Sequence, residues 1–149
     1  MTTYVQNKRA HLNFELLKSF ETGVVLFGYE VKAIRANQAK LEGSHVIIRG
    51  DEAFLVGANI SAYQPANTPK NYDGQRARKL LLSKKEIKEL ERASENAGLT
   101  LVPLKWYNKG SKIKLAIAIA RGKKKADKRE SLKKRDTKRE IERTLKGQF

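Results

Sequence analysis

The chain has 149 residues, enough for one domain plus an arm, and carries 32 Lys+Arg against 16 Asp+Glu for a formal net charge of +16. It contains no Cys, which excludes disulfides, thiolate metal sites and a Cys nucleophile. It also lacks any run near the roughly 18 apolar residues that would span a bilayer, and its opening residues lack the apolar core of a signal peptide. The reading is therefore a soluble, cytosolic protein whose basic surface suits nucleic acid better than a membrane.

In chain order, residues 1–10 read as a loose basic arm carrying Lys8 and Arg9. Phe14 to Phe20 and Val24 to Phe27 read as two short extended segments with Gly23 as the turn between them. The stretch from Gly28 to Asn37 predicts a helix of two turns, with Val31 and Ile34 three apart and Lys32 and Arg35 on a neighbouring face. His45 to Ile60 predicts a hairpin around Gly50-Asp51, with Val46 and Ile48 alternating before the turn and Phe54 and Val56 after it. Residues 61–79 hold Pro65, Pro69 and Gly74 without periodicity and read as a long loop.

Ser83 and Glu86 form a capping-box signature, with Leu82 and Ile87 placed as a hydrophobic staple. A helix follows with Ile87, Leu90, Ala93 or Ser94, and Ala97 on one face and Gly98 as its stop. Leu99 to Tyr107 predicts a strand, with Pro103 pointing to an edge. After a turn, Ile113, Leu115, Ile117 and Ile119 alternate with Lys112, Lys114, Ala116 and Ala118, which predicts a strand with one large-residue face. Short antiparallel strands with two helices and no βαβ rhythm fit a mainly β fold, an OB-like antiparallel barrel.

From Arg121 to the end the chain holds 13 Lys+Arg and 5 Asp+Glu, and its large aliphatics are Leu132, Ile141 and Leu145. Such a segment is expected to be disordered alone. It could become a helix on a polyanion, where Glu130–Lys134 and Glu142–Lys146 pair at i, i+4. The resulting division is an arm over 1–10, a body over 11–121 and a basic tail over 122–149.

Enzyme signals are weak. His11 and His45 have no partner at metal-ligand or triad spacing, and no Gly-rich phosphate cradle occurs. Neither a metal nor a cofactor is expected. Basic clusters at Lys8-Arg9, Arg76-Arg78-Lys79, Lys84-Lys85, Lys123-Lys124-Lys125 and Lys133-Lys134-Arg135 would neutralise phosphates. Among the aromatics, Phe14, Phe20, Phe27 and Phe54 read as core. Tyr63, Tyr72 and the Trp106-Tyr107 pair read as open to base stacking, with only one of that pair in the core and Trp106 taken as the RNA contact.

Several stretches occur together in one order: Asn7–Ala10, Gly28–Arg35, Glu52–Ile60, Arg76–Leu82, Ala120–Glu130 and Leu132–Asp136. In these the chain resembles the bacterial SsrA-binding (small protein B) family over nearly its whole length. The resemblance implies an OB-like barrel that binds the tRNA-like domain of transfer-messenger RNA and delivers it to stalled ribosomes for trans-translation. It implies as partners the small-subunit rRNA, decoding centre and mRNA channel, and elongation factor Tu through the aminoacylated RNA, with the protein a monomer.

The tail would enter the empty mRNA channel as a helix, through Asp127, Lys128, Arg129, Lys133, Lys134, Arg135, Lys138 and Arg139. Asn7, Lys8, Arg9, Glu30, Lys32, Arg35, Arg76, Arg78, Lys79, Lys123 and Lys124 match the family's RNA-binding stretches. For Glu30 two roles stand open: an acceptor for RNA donors, or a salt bridge to Arg35 or Lys32 that orders the helix. Leu12-Asn13-Phe14 departs from the family's His-Asp-Tyr-like triplet, and Ala33 and Gly74 depart from its common Ser and Pro. A general basic OB-type ribosomal or RNA-chaperone protein is the alternative; an RNA-processing enzyme would need a catalytic cluster the sequence does not offer.

Overall fold

Three long antiparallel strands carry the architecture. In the computed structural model, which describes residues 2–123, β1 spans Thr2–Gln6, β2 Phe14–Val24, β3 Ala39–Lys40, β4 His45–Arg49, β5 Glu52–Val56, β6 Asn59–Ile60, β7 Arg78–Leu81, β8 Leu99–Lys109 and β9 Lys112–Gly122. The helices are α1 Lys8–Asn13, α2 Gly28–Arg35 and α3 Lys84–Glu95. Seven strands form one sheet in the order β1-β8-β9-β2-β7-β5-β4, while β3 and β6 make a separate two-residue ribbon. β4, the far edge, comes back beside β8, and α3 packs on both. The sheet is thus a partly closed, OB-like barrel.

Local chemistry explains the strand ends. The β4–β5 and β8–β9 turns are two-residue loops beginning with Gly50 (φ 62°) and Gly110 (φ 63°). Glycine adopts that left-handed conformation at little cost, which suits a tight hairpin following the strand twist. Bulges between Leu16 and Lys18 in β2 and between Pro103 and Lys105 in β8 add the curvature a closing sheet needs. β1 pairs β8 only as far as Lys105, so Pro103 sits just beyond the paired stretch and costs no ladder bond to β1.

The core behaves as the alternation predicts. Leu115 and Ile117 point inward with Leu55, Leu80, Leu90 and Trp106. On the opposite face of β9, Ala118 and Ala120 are small enough for α1 to lie against the sheet, where they bury Ala10, Val102 and Leu104 in a second cluster. The capping box at α3 is present: Glu86 N–H donates to Ser83 Oγ at 3.2 Å, and Ser83 N–H donates to Glu86 Oε1 at 3.1 Å. Ile87, Leu90 and Ala93 are its buried face, but α3 ends at Glu95 and Ala97 is exposed.

Other expectations are corrected. Thr2–Gln6 is no loose arm, because its β-branched and aromatic residues pair with β8, and Lys8–Asn13 follow as a helix. Gly23 is no turn: it lies inside β2, paired with Lys114 on one side and Leu81 on the other. Arg78–Leu81, expected as loop and helix approach, is a central strand between β2 and β5. Phe54 faces outward opposite Ile47 and is half-buried, while its neighbours Ala53 and Leu55 are the core residues. Phe27 is 47% exposed. Trp106 and Tyr107 are both buried, Trp106 in the core and Tyr107 on the other face of β8, where it is hydrogen-bonded to Glu21 and Lys105 Nζ lies 5.3 Å from its ring centroid. The expected tail residues from Lys124 onward lie outside the described residues.

Replacing Ser83 by Ala removes the cap acceptor for Glu86 N–H and is expected to cost about 1 kcal/mol. Urea denaturation checks this: the midpoint should fall with an unchanged slope.

Candidate nucleic-acid interface

Glu30 is the first place where charge and burial conflict. It sits at the third position of α2 with no solvent exposure. Its Oε1 accepts from Phe27 N–H at 2.9 Å and from Arg76 Nη2. Its Oε2 accepts from Tyr72 Oη at 3.0 Å, Arg76 Nε at 3.2 Å, Arg78 Nε at 3.0 Å and Arg78 Nη2 at 2.7 Å. Arg78 is equally enclosed and spends its other donors on Ala58 O at 2.7 Å and Gly74 O at 2.9 Å.

Burial alone would raise the Glu30 carboxyl, but the hydrogen bonds from Arg76, the Phe27 amide and Arg78 outweigh it and hold the group below its ordinary value. Tyr72 moves the other way, pushed up to about 12 by desolvation and by the neighbouring carboxylate, so its hydroxyl stays a donor. That hydroxyl reaches both Glu30 Oε2 and Ile60 O (2.9 Å), and it accepts from Arg78 Nη2 at 3.2 Å.

The expected RNA contacts therefore divide. Glu30, Arg78 and Trp106 have no solvent exposure, and an enclosed side chain presents nothing to a polymer outside. Glu30 does form salt bridges, but to Arg76 and Arg78 rather than to Lys32 or Arg35. Arg78 and Leu80 point inward while Lys79 and Leu81 point outward, the ordinary strand alternation. Asn7 is also buried: Nδ2 donates to Pro103 O at 2.9 Å and Oδ1 accepts from Ala10 N–H at 3.3 Å, so it caps α1. Arg76 is mostly covered, its guanidinium 4.1 Å from the Phe27 ring centroid. Lys8, Arg9, Lys32, Arg35 and Lys79 are exposed, whereas Lys123 is half-buried and donates to His11 O at 3.1 Å. Tyr72 is a network residue, while Tyr107 is buried and hydrogen-bonded to Glu21.

An outward patch is not legible in the sequence. Leu81, on β7, is 57% exposed, and Val25, just past the end of β2, is 48% exposed: Gly23 pairs with Leu81, and Val25 N–H donates to Lys79 O at 2.9 Å. A Cβ at Gly23 would stand 3.3 Å from Leu81 Cδ1, so the missing side chain leaves a trough between Leu81 and Lys114. The trough opens into a cavity of about 300 Å³ with Leu26 and Val31 in its lining and Arg35, Lys112 and Lys114 as cations beside them. Arg35 is held there by donating to Ser111 O at 3.1 Å.

No carboxylate lines this cavity. The nearest along β2 is Glu21, held below its ordinary value by the Tyr107 hydroxyl and by Lys109, with Lys114 contributing. Single exposed aliphatics are ordinary, but a group of them ringed by cations offers apolar surface to bases and charge to phosphates. Sequence reasoning misses Leu81, Val25, Lys112 and Lys114 because β7 does not read as a strand. Once Arg78–Leu81 is taken as a strand, alternation alone turns Leu81 outward.

The family described as SmpB protein matches residues 4–147. An SsrA-binding protein of Microcystis aeruginosa is 46% identical over 140 residues, covering 94% of this chain and 91% of that one. One of Protochlamydia amoebophila is 46% identical over 144 residues, covering 97% and 94%. Among solved structures, a chain described under "tmRNA-SmpB: a journey to the center of the bacterial ribosome" superposes with a TM-score of 0.68 at 37% identity, covering 86% of this chain and 93% of that one.

Glu30→Gln leaves the Arg78 guanidinium buried without a counter-charge and is expected to cost about 3–5 kcal/mol. The native chain should show a matching acid dependence. Because the folded Glu30 carboxyl is held low, its contribution is full above the ordinary carboxylate range and is lost as pH falls through and below that range. Urea midpoints measured from neutral pH down to about pH 3 should fall for the native chain more steeply than for Glu30→Gln; parallel curves would remove Glu30 as the acid-sensitive group.

Proposed function

The chain belongs to the SmpB family, and from that premise we propose that it binds the tRNA-like domain of transfer-messenger RNA and brings it to stalled ribosomes for trans-translation. The observation that carries this for the body is the outward trough at Gly23, where exposed Leu81 lies with Leu26 and Val31 beside Arg35, Lys112 and Lys114. Apolar surface can receive the face of an unstacked base or a ribose, and the cations hold the phosphates around it. The buried Glu30–Arg78 pair acts from behind, by holding β7 in place.

The protein acts without catalysis, as a monomer in the cytoplasm; among the described residues no helix is long and apolar enough to cross a membrane. Residues 122–149 serve as the basic tail. Asp127, Lys128, Arg129, Lys133, Lys134, Arg135, Lys138 and Arg139 enter the empty mRNA channel past the decoding centre, whose phosphates offset the tail's self-repulsion. Elongation factor Tu joins through the aminoacylated RNA rather than through this chain.

Competition between the tRNA-like domain and bulk tRNA at matched salt tests the assignment: a strong preference is expected, and equal binding with a steep salt slope would instead favour a general basic RNA binder. Leu81→Asp, at an exposed site that the fold tolerates, should weaken the tRNA-like domain by about tenfold or more, roughly 1.4 kcal/mol. Lys112→Gln with Lys114→Gln should lower the salt slope by about one for each phosphate that is no longer neutralised. Deleting residues from Asp127 onward should leave this affinity largely intact and abolish tagging on stalled ribosomes; loss of RNA binding by the truncated chain would refute the division between body and tail.

A further inference from the structure

The chain passes from β2 to α2 through a linker with no regular structure. β2 ends at Val24 and α2 begins at Gly28, which leaves Val25, Leu26 and Phe27 between them. Leu26 is half-buried and lines the trough. Its neighbours Val25 and Phe27 are both exposed, so burial does not fix them. Phe27 stands at the N-cap of α2 and makes no side-chain cap hydrogen bond. Contacts from other elements have to set the path of this linker. Two of them are backbone donors: Val25 N–H to Lys79 O, and Phe27 N–H to Glu30 Oε1, each at 2.9 Å.

The remaining contacts come from Arg76, on the loop that follows β6. Its Nη2 donates to Val25 O at 3.3 Å, and its guanidinium lies over the Phe27 ring. One planar group thus grips the residue on each side of Leu26. That group is itself anchored. Nε donates to Glu30 Oε2, Nη2 also to Glu30 Oε1, and Nη1 to Ala77 O at 3.4 Å. A turn fixes the Arg76 backbone, whose N–H donates to Asp73 O at 3.2 Å. All three guanidinium nitrogens are engaged within the chain, and the side chain is only 23% exposed, so little of it is left for a phosphate.

We infer that Arg76 is a positioning residue for the RNA surface: it acts through Val25 and Phe27 to hold Leu26 in the wall of the trough, and it does not itself neutralise a phosphate. This role rests on reading the trough as the surface that receives the tRNA-like domain. It divides the basic cluster by task. Arg78 is enclosed with Glu30, Lys79 faces outward, and Arg76 clamps the linker. Without the clamp the linker keeps its two backbone bonds but loses the constraint on Val25 O and on the Phe27 ring. Leu26, between them, is then free to leave the wall, and the trough loses apolar surface while Arg35, Lys112 and Lys114 stay in place. The clamp needs an arginine. A lysine keeps the charge but has neither the fork that serves two acceptors nor the flat face that stacks on a ring.

The test measures binding of the full chain to the isolated tRNA-like domain over a range of salt. Arg76→Lys is expected to weaken binding about fivefold with an unchanged salt slope, because the phosphates neutralised are the same. Arg76→Gln should weaken it by a similar factor. Native affinity in Arg76→Lys, or a slope lowered by about one in Arg76→Gln, would make Arg76 a phosphate contact and overturn the positioning role. A double-mutant cycle supplies a readout that a general loss of stability would not move. If Arg76 acts through Leu26, Arg76→Lys/Leu26→Ala binds no worse than Leu26→Ala alone; additive losses would refute it. Phe27→Ala, at an exposed site, removes the stacked face without touching the buried carboxylate, and decides the matter if the Arg76 variants do not fold. It too should weaken binding at an unchanged slope, and native affinity would count against the clamp. Leu81→Asp keeps the underlying reading separate. If that variant binds as the native chain does, the trough itself is wrongly assigned; a weakened Leu81→Asp beside a native-like Arg76→Lys fails the positioning role alone.

Discussion

The outward face of the sheet depends on a carboxylate that no solvent reaches. Glu30 gathers α2, the segment carrying Tyr72 and Arg76, and β7 into one hydrogen-bonded knot. An ion pair of this kind adds little net stability over a well-packed apolar substitute, because both charges pay desolvation on burial. Its value here is registration. β7 presents Arg78 and Leu80 inward and Lys79 and Leu81 outward. A slip by one residue would drive Lys79 and Leu81 into the core and eject Arg78 from its carboxylate. The Arg78–Glu30 pair makes that alternative costly, so the outward exposure of Leu81 is held by a charge pair on the opposite side of the strand.

The same arrangement sorts the chain's excess charge. Glu30 offsets one of the two charges carried by Arg76 and Arg78, so this pair adds less to the field outside than its count suggests. Lys79, Lys112, Lys114 and Arg35 are left around a surface with few carboxylates of its own. Glu21 and Glu52 are the nearby exceptions: Tyr107 and Lys109 restrain the first, and the second pairs with Lys79 at 3.4 Å. Burial of Tyr107 raises its own hydroxyl, which keeps it protonated and able to donate to Glu21. The basic stretch at Arg76–Lys79 thus serves two purposes, with alternate residues of one short strand sent to opposite sides.

Where a local rule decides the outcome, the sequence is legible. The Ser83–Glu86 box, the glycine-first turn at Gly50 and the alternation from Lys112 onward each depend on residues within a few positions of one another. Where a distant partner decides, legibility ends. Arg78 looks like a surface cation because its counter-charge is 48 positions away. Gly23 looks like a turn because its pairing with Leu81 and Lys114 is non-local. Trp106 and Tyr107 take opposite fates only on the premise of a bare second face, but the side chains of Lys105 and Glu21, from the sheet itself, lie against Tyr107 there. The β-branched and aromatic content of Thr2–Gln6 is a usable strand signal, masked by the neighbouring Lys8 and Arg9, which suggest an arm.

The continuity of β2 through Gly23 bears directly on how one small barrel can present a fixed surface. Were Gly23 a turn, the trough would sit on a hairpin tip, free to move against the rest of the sheet. Instead, β2 is bonded to β9 along nearly its whole length and to β7 at its end. β9 is in turn bonded to β8 throughout. A strand paired on both sides is among the least deformable elements of a protein, since bending it must strain two ladders together. The trough is therefore part of a rigid sheet, with Gly23 fixed between Leu81 and Lys114. An RNA seated there meets a surface that does not yield to admit a poor fit, so shape becomes a criterion of recognition that charge alone does not supply.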